Sequence, residues 1–122
     1  MLSISTVFAE TLMLYKETGV REGFSQGYFE IYNEGYISIG NCIDEWSTNN
    51  RDDQNMQVQI WQRIPGSTGQ YKLYNNGFYH GGDGCVPLRK FFCEKGIYKL
   101  KFVSYNKNAY ADVQGRVGTW ED

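Results

Sequence analysis

The sequence predicts an all-β fold, an antiparallel β-sandwich with a jelly-roll-like arrangement of about eight strands. Three observations predict it. Short segments of alternating apolar and polar residues follow one another along the 122 residues, aromatic residues make up 16% of the chain, and 14 glycines accompany two prolines. Aromatic side chains suit a pleated, half-buried surface, and glycine supplies the turns that separate strands. No segment shows three turns of helical periodicity.

The predicted strands are recognised by a two-residue period, which places alternate side chains on opposite faces of a sheet. The clearest case is Met56, Val58 and Ile60, which alternate with two glutamines. One face of each strand is polar, which favours antiparallel sheets with one side toward water. The predicted strands are residues 11–15, 26–33, 36–39, 56–60, 70–75, 78–80, 96–105 and 109–117.

A hairpin is predicted at Asn76 and Gly77, which lie between the strands predicted over 70–75 and 78–80. Both residues tolerate the positive φ angles that a type I′ turn requires. The pair is therefore expected to reverse the chain.

Charge and hydropathy argue against two classes of partner. The chain has 12 basic and 14 acidic residues and a net charge of −2, and no large cluster of lysines and arginines interrupts this balance. Such a balance is not typical of a protein that binds nucleic acid. No segment approaches the roughly 18 consecutive apolar residues of a membrane span. The sequence has no internal repeat and no linker, which predicts a single domain over residues 10–122.

Residues 1–9 allow two interpretations. The segment ends in Ala9, a small residue of the kind that signal peptidase requires, so it can be the remnant of a signal peptide. Alternatively, Leu2, Ile4 and Phe8 share one face at a period of two and belong to a first strand. The first interpretation predicts a protein that is secreted or held at the cell surface.

The C-terminal quarter of the chain resembles a known group of proteins. Residues 96–102 read GIYKLKF, and residues 111–117 read ADVQGRV after a polar turn. This pattern resembles the closing hairpin of small exported bacterial β-sandwich domains of the pre-peptidase C-terminal type. The resemblance implies a secreted, non-catalytic accessory or binding domain. It implies no functional residue, and the three cysteines depart from that group.

The three cysteines allow several oxidation states. Cys85 and Cys93 enclose a short loop and are the favoured disulfide of an exported protein, worth about 2.6 kcal/mol by loop entropy. This pairing leaves Cys42 over. Pairing of Cys42 with Cys85 or with Cys93 is an open alternative, as is a set of three reduced, buried cysteines that act as small apolar side chains.

Calcium is the favoured metal candidate, and no other cofactor is expected. Asp44, Glu45, Asp52 and Asp53 crowd one loop, and calcium binds several carboxylate and carbonyl oxygens on flexible backbone. The spacing does not match an EF-hand, and a solvated polar loop that binds no metal is the favoured interpretation. The cysteines and His80 lack the closely spaced ligand pairs that are typical of a structural zinc site.

The sequence offers few catalytic groups. His80 is the single histidine, so any Ser-His-Asp or Cys-His arrangement has to use it. Cys85 is the nearest thiol in the sequence, but a disulfide would consume it. The sequence therefore predicts a protein that is not an enzyme.

Aromatic residues indicate a binding surface. Alternation places Trp61 on the same face as two glutamines, and Tyr71, Tyr74 and Tyr79 follow in the next predicted strands. Sugar rings combine an apolar C–H face with a rim of hydroxyl groups, so they suit aromatic rings flanked by amides. The first hypothesis is that these four residues bind carbohydrate or cell-envelope material. One alternative is that Trp61 caps the edge of the sandwich and the tyrosines fill its rim. The second hypothesis is a protein-interaction, inhibitor or structural protein of the cell surface, in which tyrosine and tryptophan anchor the contact with a cell-surface protein.

Overall fold

The structure is a computed structural model that describes residues 10–120, and these residues form two five-stranded antiparallel sheets packed face to face. The prediction of an all-β sandwich is confirmed. One 3-10 turn, Arg51–Asp53, interrupts the series of strands. The strands are β1 (Thr11–Val20), β2 (Glu22–Phe24), β3 (Phe29–Ile31), β4 (Gly35–Trp46), β5 (Asn55–Arg63), β6 (Tyr71–Gly81), β7 (Gly84–Cys85), β8 (Arg89–Cys93), β9 (Gly96–Ser104) and β10 (Ala111–Thr119).

The strand order is that of a jelly roll. The first sheet has the order β1–β10–β4–β7, with β8 also paired to β4. The second sheet has the order β2–β9–β5–β6, with β3 also paired to β9. The short strands β7 and β8 share one neighbour, as do β2 and β3, so the strands occupy about the eight positions that the sequence predicts.

Strands β5 and β9 form the centre of the second sheet, and their two-residue periodicity builds half of the core. Val58 lies opposite Phe102, and Ile60 lies opposite Leu100. All four side chains are fully buried, and burial of each stabilises the fold by about 1.5–3 kcal/mol. The residues between them point to the outer face of the second sheet. The first sheet completes the core with Ile37, Ile39, Ile43, Val113 and Val117.

The hairpin predicted at Asn76 and Gly77 is wrong. Strand β6 runs through both residues, and the chain instead reverses between β5 and β6 over residues 64–70. Gly77 does have a positive φ of 68°, but it lies in a β-bulge, where the register against β5 shifts between Val58 and Ile60. The Asn-Gly sequence favours a positive φ angle. Such an angle occurs in a β-bulge as well as in a hairpin turn, so the sequence alone does not distinguish the two.

Strands β9 and β10 do not form the closing hairpin that the C-terminal pattern suggests. β9 belongs to the second sheet and β10 to the first. Residues 105–110 therefore cross from one sheet to the other, and the buried side chain of Ala109 anchors the crossing.

The favoured pairing of Cys85 with Cys93 is also wrong, and the alternative pairing of Cys42 with Cys85 is present. Cys42 on β4 lies directly opposite Cys85 on β7, whereas Cys93 on β8 lies opposite Gly35. Gly35 and Cys42 are separated along β4 by about 23 Å, at about 3.3 Å per residue. Cys85 and Cys93 therefore lie too far apart to bond. Cys93 is a fully buried thiol, and its burial raises its pKa to about 12.

Both interpretations of residues 1–9, a signal-peptide remnant and a first strand, fall outside the described residues. Within residues 10–120, no helix has the length and apolar character needed to cross a membrane.

Replacement of Gly77 by alanine is expected to destabilise the protein by more than about 2 kcal/mol. A Cβ atom at this position would overlap the carbonyl oxygen of Val58, in addition to the cost of the left-handed backbone. Gly66→Ala is the matched control, because Gly66 has a φ of 82° but open space around its Cβ position. We expect the control to lose only about 1 kcal/mol. Chemical denaturation measures the free energy of unfolding of both variants, and an equal decrease in the two would contradict the bulge at Gly77.

Peptide mapping without reduction is expected to yield a fragment that links Cys42 to Cys85, with Cys93 alkylated only after unfolding. Replacement of both bonded cysteines by serine is expected to lower the free energy of unfolding by up to about 4 kcal/mol, because the bond closes a loop with a sequence separation of 43. Recovery of a peptide that links Cys85 to Cys93 would contradict the fold of β7 and β8.

Candidate functional site

The outer face of the second sheet carries the side chains that alternate with its core. On β5 these are Gln57, Gln59 and Trp61, as the sequence predicts. The Trp61 indole Nε1 donates a hydrogen bond to Gln59 Oε1 at 2.8 Å, and Gln59 Nε2 donates to Gln57 Oε1 at 3.1 Å. Gln57 Nε2 in turn donates to the carbonyl oxygen of Asn76 at 2.9 Å. This chain of hydrogen bonds holds the indole and both amides in place.

Phe24 contacts two other rings on this face, and we call Phe24, Trp61 and Tyr71 the aromatic row. Phe24 meets Trp61 edge to face with ring centroids 5.2 Å apart, and its centroid lies 6.0 Å from that of Tyr71. Phe24 is 38% exposed. The row is a continuous apolar surface bordered by amides. Sequence reasoning missed Phe24, because it lies between a glycine and a serine in a segment with no clear alternation of apolar and polar residues.

Lysines from the neighbouring strand stand over the aromatic row. Lys99 lies opposite Trp61 and Lys101 lies opposite Gln59 in the register of β9 against β5. Lys101 Nζ lies 4.7 Å from the Trp61 ring centroid, and Lys99 Nζ lies 5.5 Å from that of Tyr71. Such cation–π contacts stabilise both partners by about 0.5–1 kcal/mol at exposed sites. The basic residues that look scattered in the sequence thus meet on one face.

A shallow pocket adjoins the row, and we call it the tyrosine pocket. It measures about 300 Å³, and it is lined by Tyr28, Arg63, Tyr71, Ile97 and Lys99 together with the loop residues Thr68 and Gly69. Tyr28 is 59% exposed. Burial raises the pKa of Tyr71, while the positive charge of Arg63 opposes this effect. The guanidinium group therefore acts on the phenol across the pocket.

An acidic residue also lies on this face, beside the pocket. Glu30 lies opposite Ile97 in the register of β3 against β9. Its carboxylate interacts with Tyr32 and raises the pKa of that phenol. The two central strands of the sheet, β5 and β9, contribute no carboxylate to this face.

The four predicted binding residues do not form one cluster. Trp61 and Tyr71 share the aromatic row. Tyr79 lies on the same face but opposite Gln57, at the other end of β5, where it is 58% exposed. Tyr74 packs toward the core, with its ring edge on to Tyr98 at 5.1 Å and its hydroxyl accepting a hydrogen bond from the Glu94 amide. Strand alternation explains the difference, because Tyr74 directly follows Leu73, which lies opposite the outward-facing Trp61.

The predicted calcium ligands do not converge. Asp44 and Glu45 lie on β4, while Asp52 and Asp53 belong to the 3-10 turn. Asp44 accepts a hydrogen bond from Gln114 Nε2 on β10, and Asp53 accepts one from Asn106 Nδ2. Within residues 10–120 no group of three or more histidine, cysteine, aspartate or glutamate side chains lies close enough to hold a metal ion.

His80 is a core residue rather than a surface group. It is fully buried, and its Nδ1 lies 2.8 Å from Asn41 Nδ2. Asn41 Oδ1 accepts a hydrogen bond from the Tyr15 hydroxyl at 2.6 Å, so the Asn41 amide nitrogen donates to His80. This arrangement places the proton of neutral His80 on Nε2, which finds no partner in the described part of the chain. Neither His80 nor the oxidised Cys85 is available as the catalytic pair that the sequence offers.

A larger groove of about 570 Å³ lies on the outer face of the first sheet. Gly40 and Gly115 form its floor beside the disulfide, and the exposed side chains of Leu14 and Leu88 flank it. This groove is mainly apolar.

Comparison with known proteins assigns no family. No protein-family model matches the chain, and no curated protein is significantly similar to it. The geometry of the two outer faces is therefore the basis for assigning a function.

The stability of the protein is expected to fall as the pH drops below about 6.5. Burial lowers the pKa of His80, although the backbone of Asp83 and Gly84 opposes part of this effect. Below this pH the unfolded chain binds a proton at His80 that the folded protein does not bind. The free energy of unfolding therefore falls by at most about 1.4 kcal/mol per pH unit. Denaturation curves between pH 7.5 and 5.5 measure it. His80→Gln should flatten the dependence, and an equally steep dependence in this variant would contradict the assignment.

Proposed function

We propose that this protein is an exported, non-catalytic domain that binds polysaccharide chains on the outer face of the second sheet. The observation that carries the proposal is the aromatic row, bordered by two glutamines that are held in place by hydrogen bonds. An aromatic ring covers the apolar C–H face of a sugar, and the carbonyl and amino groups of the glutamine side chains pair with its hydroxyls.

Hydrogen bonds hold the side chains of this face in fixed positions, which favours binding. Trp61, Gln59 and Gln57 are already connected to one another and to the backbone at Asn76. A surface whose side chains are ordered before binding loses less conformational entropy when the ligand arrives.

The shape of the face supports an extended chain as ligand rather than a single sugar. From Gln57 to Arg63 the outward residues of β5 extend over about 20 Å of strand. Tyr79 borders one end of this span and Tyr71 the other. The outward residues of β5 are partly exposed along this span, which suits a polymer that crosses several of them.

Export is the setting that agrees best with the disulfide between Cys42 and Cys85. Disulfides form and persist in oxidising compartments outside the cytosol.

A protein partner is the second candidate function. The observation that favours it is the groove of the first sheet, where Leu14 is 73% and Leu88 is 58% exposed. Exposed apolar patches of this kind often mark protein contacts.

Trp61→Ala is expected to weaken binding to polysaccharide at least about tenfold, which corresponds to about 1.4 kcal/mol. Retention in polyacrylamide gels that contain single soluble polysaccharides, neutral and acidic, measures the affinity. The variant removes the ring at the centre of the row and leaves the core intact, so its unfolding curve should change little.

Tyr36→Ala is the matched control for this experiment. Tyr36 is also an exposed aromatic residue, but it lies on β4 of the first sheet beside Phe92. We expect it to bind polysaccharide like the unmodified protein. Equal binding by the Trp61 and Tyr36 variants would contradict the site, and failure of the unmodified protein to bind any polysaccharide would favour a protein partner.

A further inference from the structure

We infer that the saccharide bound on this face is acidic, and that Arg63 and Lys99 in the tyrosine pocket recognise its carboxylate or sulfate groups. The inference rests on the proposed function, since it names the class of polysaccharide that the same face takes.

The first argument is the distribution of charge. The whole chain has a net charge of −2, yet the outward positions of β5 and β9 hold Arg63, Lys99 and Lys101 and no acidic residue. Within residues 10–120, none of these three cations takes part in an ion pair. The edge strands add two carboxylates to this face, Glu22 opposite Val103 and Glu30 opposite Ile97. The three cations outnumber them, so the face attracts an anion although the protein as a whole is acidic.

The second argument is the geometry of the tyrosine pocket. Two phenol rings, Tyr28 and Tyr71, line a concave volume of about 300 Å³ together with Arg63 and Lys99. The rings suit the C–H face of one sugar. The planar guanidinium of Arg63 suits the paired oxygens of a carboxylate or sulfate, which it can bind with two parallel hydrogen bonds.

The third argument is the repetition of cations along the aromatic row. Lys99 and Lys101 are outward neighbours on β9, about 7 Å apart along the strand. Lys101 Nζ lies 4.7 Å from the Trp61 centroid and 5.2 Å from that of Phe24. The two rings hold this ammonium group at the surface. β9 therefore presents two cations in a line beside the aromatic row, and an acidic polysaccharide likewise presents several charged groups along its chain.

A basic, aromatic sheet face also suits single-stranded nucleic acid, in which bases stack on rings and phosphates meet cations. Two features favour the saccharide. Gln57 and Gln59 offer ordered amides for hydroxyl groups, and the disulfide belongs to a compartment outside the cytosol.

The test compares two matched pairs of polymers that differ in charge alone, polygalacturonate with its methyl ester and dextran sulfate with dextran, with oligo-dT as the nucleic acid. We expect at least one acidic polymer to bind about tenfold tighter than its neutral counterpart, with an affinity that falls as salt is raised. The double variant Arg63→Gln, Lys99→Gln should lose this preference.

The control is the double variant Lys16→Gln, Lys107→Gln, which changes the net charge equally at exposed positions away from the face. It should bind like the unmodified protein, and an equal loss in both double variants would overturn the inference. If the neutral polymers bind as tightly as the acidic ones, the inference fails and the proposed function stands. If no polysaccharide binds, both fail. Tighter binding of oligo-dT than of either acidic polymer would also overturn it.

Discussion

A row of hydrogen bonds across the core sets the alignment of the two sheets. Tyr15 on β1 donates to Asn41 on β4, and Asn41 donates to His80 on β6 of the opposite sheet. Asn41 and His80 are fully buried, so a slip of one sheet past the other would leave polar groups without partners, at about 1–3 kcal/mol each. Gly115 is part of the same constraint, because a Cβ there would overlap the Tyr15 hydroxyl.

The outer face of the second sheet follows from this alignment. Once the core takes Tyr98, Leu100 and Phe102, the lysines between them must face solvent. The same holds on β5, where the buried Met56, Val58 and Ile60 leave two glutamines and an indole outside. The candidate site thus consists of the outward-facing residues of the same strands whose inward-facing residues form the core. The strands themselves position these side chains, without a dedicated loop.

Alternation within a strand could be predicted from the sequence, and partnership between strands could not. The two-residue period predicted the sandwich and the common face of Trp61 with its glutamines. The lysines beside Trp61 come from β9, far along the chain, and local pattern does not say which strands pair. The cysteines show the same limit, because their pairing depends on where β7 and β8 lie along β4. At Gly77 the backbone angle was predictable, but its use in a bulge depends on β5.

The bulge at Gly77 also has a consequence for self-association. β6 is an outer strand of the second sheet, and it exposes Leu73 and Tyr79. A long, regular edge strand is a template on which another chain can add a strand. The register shifts near Asn75 and Gly77 break the spacing of the edge amides and carbonyls and increase the local twist. The glycine thereby disfavours edge-to-edge pairing of β6 with a second copy of the chain.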